Sequence, residues 1–154
     1  MCKIKLTDEW TRQAEKMLIA DEGIRKTPYK DSRGIWTIWI GRNLETDPFT
    51  EAEMMTWFRN RLRQAVDDLC EIYGKDFIES LEVPRQHALT NMVFQLGKKG
   101  LAGFTEANKR VLKKDWPAAV QHFLSSLWAR QTPGRAARVC ELLRTGIYPA
   151  RYTE

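Results

Sequence analysis

Glu22 and Asp31, with eight residues between them, and Thr37 beyond five more, are the side chains whose types and spacing point to chemistry. Hydrolysis of a glycosidic bond needs a carboxylic acid to protonate the leaving oxygen. It also needs a second carboxylate on the opposite sugar face, to activate water or to attack directly. One of this pair sits where a helix should end and the other in a turn, so chain reversal brings both toward one groove. Spacing alone proves little, because Asp67 and Asp76 are equally far apart and have no comparable setting. An isolated Glu or Asp is usually solvated surface, and a Thr in a strand is usually a β-former, so the context has to decide.

Several elements must position these residues. Thr7-Asp8-Glu9 reads as a helix start, and Trp10, Ala14, Met17 and Leu18 fall on one face before a stop near Glu22, where Gly23 suits the C′ position. From Arg25 to about Leu44 β-formers take over, with Asp31-Ser32-Arg33-Gly34 as the turn between two strands. Pro48 closes that region. Thr50-Glu51-Ala52-Glu53 reads as a capping box opening a long helix toward Tyr73, with Gly74 as its end. Further helices are predicted from Pro84 to Gly97, after Asp115 with Pro117 in the first turn, and from Thr132-Pro133 to Gly146. The expectation is α+β: a small β-hairpin lobe (about 21–49), a connecting helix (about 50–74) and a helical lobe (about 75–154) joined by the N-terminal helix (8–22). A groove between two such lobes is a common place for a ligand.

Composition agrees with one soluble unit. The chain has 154 residues, 43% of them hydrophobic, enough for a core without disulfides or metals. Cys2, Cys70 and Cys140 are odd in number and lack ligand spacing, so they read as reduced, incidental thiols. His87 and His122 lie far from the motif without partners at ligand spacing, so no metal site is expected. Met1 to Asp8 has no continuous apolar run, and no segment approaches a membrane span. Synthesis in the cytoplasm is therefore expected, with any extracytoplasmic target reached by a route this chain does not encode. A net charge of +5 favours anionic partners. The cations are dispersed and no recognition motif for nucleic acid is present, so nucleic acid is not an expected partner.

The run Asp21-Glu22-Gly23-Ile24-Arg25, then Tyr29-Lys30-Asp31, then Trp36-Thr37-Ile38-Trp39-Ile40-Gly41 resembles the active-site signature of the phage-type lysozymes (endolysins), the family of the T-even phage enzyme. Similarity continues through Ala88 to Gly97, Ala102 to Thr105, Trp128 with Gln131-Thr132-Pro133, and Arg135 with Arg144-Thr145-Gly146. It lapses at about Glu45 to Phe49, where this chain is shorter. The resemblance implies Glu22 as general acid, Asp31 as the carboxylate that activates water and Thr37 as a hydroxyl holding that water. It also implies a muramidase that inverts configuration, waits in the host cytoplasm until a separate pore admits it to the wall or periplasm, acts there on bacterial peptidoglycan for host lysis and needs no cofactor; a monomer is the simplest expectation. Wall and outer-membrane polymers are anionic, which suits the charge. Inversion would correspond to carboxyl groups roughly 6.5 to 9.5 Å apart. Phe94, Gln95 and Phe104 match substrate-binding positions of the family, although Phe94 serves equally well as core. Arg135 matches the arginine that orients the acid; its charge would lower the Glu22 pKa, whereas burial and the helix C-terminus would raise it.

Trp39 stands where the family usually has a small residue, often Gly. Strand alternation would put it on the side of Thr37, as a stacking surface for a sugar or as an obstruction. Arg42-Asn43 replaces a His-Leu pair of the T-even enzyme, removing a histidine ion pair, and Leu127 replaces an arginine. Three other readings compete: an inactive or weakened wall-binding module, a basic nucleic-acid-binding protein on the same fold, and membrane disturbance by the basic C-terminal helices.

Overall fold

The computed structural model describes residues 7–153, apart from the side chain of Glu22; Cys2 and the rest of residues 1–6 lie outside this description. Twelve elements follow in order among the described residues. The chain divides into two compact units, one reaching to Met55 and the other starting at Thr56, and the division falls inside a helix.

The first unit opens with α1 (Asp8–Glu22). Thr7 caps it, its hydroxyl accepting from the Trp10 N–H, and Asp8 and Glu9 occupy the first turn, where negative charge suits the helix N-terminus. Gly23 ends it at φ 71°, with its N–H donating to the Ile19 carbonyl. The apolar side chains read as one face, Trp10, Met17 and Leu18 among them, are largely exposed.

β1 (Arg25–Lys30), β2 (Trp36–Trp39) and β3 (Arg42–Asn43) then form an antiparallel sheet in sequence order. The third strand extends the expected two-stranded hairpin. It is only two residues long, too short to leave an alternating pattern. Arg25 pairs with Trp39 and Tyr29 with Thr37, so four steps along β1 face two along β2. Pro28 lies in that gap; having no N–H, it cannot contribute a rung to the ladder. After β3, Arg42 gathers the connection to the next helix. Its guanidinium bonds the Asp47 and Pro48 carbonyls and the carboxyls of Asp47 and Glu53, and lies 4.5 Å from the Phe49 ring centroid.

The long helix α2 (Glu51–Tyr73) starts at the predicted capping box. Glu53 accepts from the Thr50 N–H, and its own N–H donates to the Thr50 hydroxyl. Beyond Met55 the second unit contains α3 (Lys75–Glu79), α4 (Val83–Ala102), α5 (Thr105–Leu112), α6 (Trp116–Leu124), α7 (Leu127–Gln131), α8 (Pro133–Thr145) and a short 3-10 turn, Ala150–Tyr152. Gly97, predicted as a helix end, is a break within α4, at φ 72°. Asp115 caps α6 through the Ala118 N–H, and Gly146 ends α8 in the left-handed region. α8 packs on α4 and α6. Leu69, Leu89, Met92, Leu101, Val111, Phe123, Val139 and Leu143 are among the side chains fully buried there. Burial of each large apolar side chain contributes roughly 1.5–3 kcal/mol, and the buried hydrophobic cluster among the described residues lies in this unit. The Tyr73 hydroxyl donates to Asn108 Oδ1 at 2.7 Å, and Asn108 Nδ2 donates to the Leu101 carbonyl, whereas the buried Arg138 Nε has no hydrogen-bond partner among the described residues. Cys70 and Cys140 are free thiols, and burial pushes the Cys140 thiol up to about 12.

Candidate active site

Asp31 occupies the β1–β2 turn with a side chain one quarter exposed. Its Oδ1 accepts from the backbone N–H groups of Arg33 (2.8 Å) and Ile35 (2.9 Å), the turn a short carboxylate builds with the residues that follow it. Gly34 makes the tight return possible at φ 80°. The hydrogen bond from Ile35, reinforced by the backbone and guanidinium of Arg33, holds the Asp31 carboxyl below its ordinary range, against a smaller opposing effect of desolvation.

The Ile35 backbone joins Asp31 to Thr37 through two successive peptide groups. Its N–H serves the carboxylate, while its carbonyl accepts from both the Asp31 N–H (2.9 Å) and the Thr37 hydroxyl (3.1 Å). Thr37 is only 4% exposed, and it is the one fully buried side chain of its unit among the described residues. An otherwise solvated hairpin thus spends its burial on a hydroxyl. Donation to Ile35 uses the Thr37 hydrogen and leaves the oxygen lone pairs able to accept.

Glu22 is the last residue of α1, one residue before the Gly23 turn into the sheet. Its side chain lies outside the described residues, and the predicted pairing of Arg135 with it falls there too.

Trp39 departs from the expectation. Alternation of faces requires extended backbone, and Trp39 has φ 61°. Its position relative to Thr37 therefore does not follow from strand parity, and the indole is 48% exposed where Thr37 is buried.

In the second unit Phe94 is partly buried, its ring tilted by 60° against Phe58 with centroids 5.9 Å apart, and packed against the core. Of the two roles the sequence left open, the packing one is thus present. Phe104 precedes α5 and is partly buried against Phe123 and, edge-on, Trp128. The Gln95 Oε1 accepts from Trp128 Nε1 at 2.9 Å, which commits the carbonyl side of this amide and leaves its NH2 free to donate. Arg135 Nε and Nη2 donate to the side chain and backbone oxygens of Asn91. Leu127 is 59% exposed at the start of α7. Among the described residues no cluster of three or more His, Cys, Asp or Glu side chains is arranged to hold a metal ion. No described helix is long and apolar enough to cross a membrane.

Sequence reasoning gave no role to Ile35, Asn91 or Trp128, the residues that fix Asp31, Arg135 and Gln95. Asn91 and Trp128 lie within the matching stretches, but a hydrogen bond over 44 or 33 positions has no local signal.

Residues 19–144 match the phage lysozyme family. The chain belongs to that family. Its fold is the α+β, lysozyme-like arrangement expected from the sequence, mostly helical with a small antiparallel sheet, and the function that goes with membership is of the lysozyme type. Among the relatives, a protein of Dictyostelium discoideum named probable T4-type lysozyme 1 is 30% identical, over 87% of this chain and 95% of its own. The endolysin of Salmonella phage P22 is 33% identical, over 71% and 76% respectively. The pre-baseplate central spike protein of Enterobacteria phage T4 is 30% identical over 95% of this chain, which spans only 30% of that protein's length.

Proposed function

We propose that this phage lysozyme family member is an endolysin-type muramidase that hydrolyses the β-1,4 bond between N-acetylmuramic acid and N-acetylglucosamine in bacterial peptidoglycan. Glu22 protonates the leaving oxygen, Asp31 activates the attacking water and Thr37 holds that water, giving inversion without cofactor or metal. The observation that carries this reading is the pairing made by the Ile35 backbone. Its N–H helps hold the Asp31 carboxyl below its ordinary range, and its C=O accepts from the Thr37 hydroxyl, whose oxygen keeps lone pairs with which to accept from a water.

In the second unit, Gln95 presents its NH2 to a sugar acetamido oxygen, because Trp128 has taken its carbonyl side. Phe104 and the free part of Phe94 cover the apolar face of a sugar ring. Arg135, anchored by Asn91, takes the family's acid-orienting position. The protein acts as a monomer and reaches the wall from the host cytoplasm through a separate pore. Its net charge of +5 assists association with anionic wall and outer-membrane polymers, an effect that fades with salt.

Clearing of a peptidoglycan suspension by the wild-type chain but not by Glu22→Gln is the expected result. NMR of the first product should show the α-anomer; the β-anomer would instead require a retaining mechanism. A second reading, a weakened wall-binding protein, is favoured by the left-handed backbone at Trp39. It predicts sedimentation with peptidoglycan and no clearing by either form.

A further inference from the structure

Trp39 sits where β2 must reverse into β3. Ile38 pairs with Arg42, so Trp39, Ile40 and Gly41 make the turn, and the backbone is left-handed at both Trp39 (φ 61°) and Gly41 (φ 71°). Glycine adopts that region freely, whereas a Cβ crowds the following carbonyl. In this chain the position holds the largest side chain available, and packing does not compensate for it. The indole is 48% exposed, and among the described residues it has no hydrogen-bond partner and no ring or cation stacked on it. Two other tryptophans differ: Lys30 lies 5.4 Å from the Trp36 ring centroid, and the Trp128 N–H is spent on Gln95.

We propose that Trp39 is a carbohydrate-stacking residue that adds a contact to wall glycan beside Asp31 and Thr37. The indole face covers the C–H face of an N-acetylated sugar ring, and its Nε1–H donates to a hydroxyl or acetamido oxygen. Placement supports a sugar as the occupant. Trp39 follows Thr37 by two residues in the same strand and pairs with Arg25 at the start of β1, the strand that leads to Asp31. The assignment rests on the wall-glycan reading above and adds to it a residue that tunes specificity.

The test uses the full chain with Trp39→Gly and Trp39→Asn, both of which suit a left-handed backbone, and Trp39→Tyr, which keeps an aromatic face. Co-sedimentation with purified peptidoglycan sacculi, lytic kinetics and thermal unfolding are measured on each. Gly and Asn should weaken sacculus binding and raise KM by about tenfold, the size of one aromatic contact, with kcat held within about twofold. Tyr should restore most of the binding, and Tm should hold or rise for Gly. Unchanged sacculus binding by Gly and Asn would overturn the assignment, as would faster lysis, the mark of an obstruction, or a Tm loss in Gly and Asn alike, the mark of a packing role. If wild type binds sacculi without lysing them and Trp39→Gly loses that binding, the enzymatic reading fails and the stacking role stands. Normal wild-type lysis with undiminished binding by Trp39→Gly gives the reverse.

Discussion

Replacing Trp128 with Phe removes one hydrogen-bond donor from a side chain that is 5% exposed, and it tests whether the Gln95 amide is held for use. The lost Nε1–H bond to Gln95 Oε1 costs about 1 kcal/mol, the net value of a typical neutral hydrogen bond. Truncating the indole to a phenyl ring leaves a small void and weakens the edge-on contact with Phe104, at 6.5 Å and 82°, for a further loss of about 1 kcal/mol. The sum of about 2 kcal/mol corresponds to a Tm lower by about 4–8 °C for a chain of this size. The assay is a double-mutant cycle with Gln95→Met, which keeps length and removes both amide groups. Thermal unfolding should show a coupling of about 1 kcal/mol, above the roughly 0.3–0.5 kcal/mol expected of independent sites. The same cycle read in lytic kcat/KM should show Trp128→Phe lowering activity in the Gln95 background and leaving it unchanged in the Met background. Additivity in both readouts would refute the argument, since the two side chains would then act separately despite their 2.9 Å contact.

Three further outcomes are expected. Asp31→Asn can keep the turn, because an amide oxygen accepts the same two backbone N–H bonds, so circular dichroism should be unchanged while clearing of peptidoglycan falls by about 10²–10⁴-fold. Glu53, held down to about 2 chiefly by the Arg42 guanidinium, is a depressed carboxyl. The stability it contributes is fully present above the ordinary glutamate value of 4.5 and is lost as pH falls toward 2, so the Tm of Glu53→Gln should decline less over that window than that of wild type. Parallel declines would show that the cluster around Arg42 carries no such linkage. Gly146→Ala should lower stability by about 1–2 kcal/mol in thermal unfolding, because φ is 70° and the new Cβ would stand 2.9 Å from Arg85 Nη1. Arg85 has little freedom to yield, being bonded to the Leu143 and Arg144 carbonyls at the end of α8.

The parts of the fold legible in the sequence were those with local causes. Thr7, the Thr50–Glu53 box, Asp115, Gly23, Gly74 and Gly146 mark helix ends because caps and left-handed residues act within a turn of where they stand. Gly97 was legible as a discontinuity, and its effect was set by packing: Leu101 is buried beyond the break, so helix resumes after it. β3 was hidden by brevity, and the irregular pairing of β1 became apparent only once Pro28 was placed opposite a partner strand.

The same distinction separates what was legible of the site. The spacing of Glu22, Asp31 and Thr37 is a property of one short stretch, and the hairpin holds Asp31 and Thr37 through bonds no longer than four residues in sequence. Trp39 was legible as a departure but not in its geometry. Strand parity presumes extended backbone, and the reversal into β3 removes it at that residue. The supports of Arg135 and Gln95 come from Asn91 and Trp128, on helices far along the chain, and only the tertiary structure of the second unit supplies them. Short-range bonds therefore hold the described charged and hydroxyl groups of the hairpin, and long-range bonds aim the amide and guanidinium of the second unit. Substitution of a support such as Trp128 should change how substrate is held, whereas substitution at Asp31 should change whether the bond is cut.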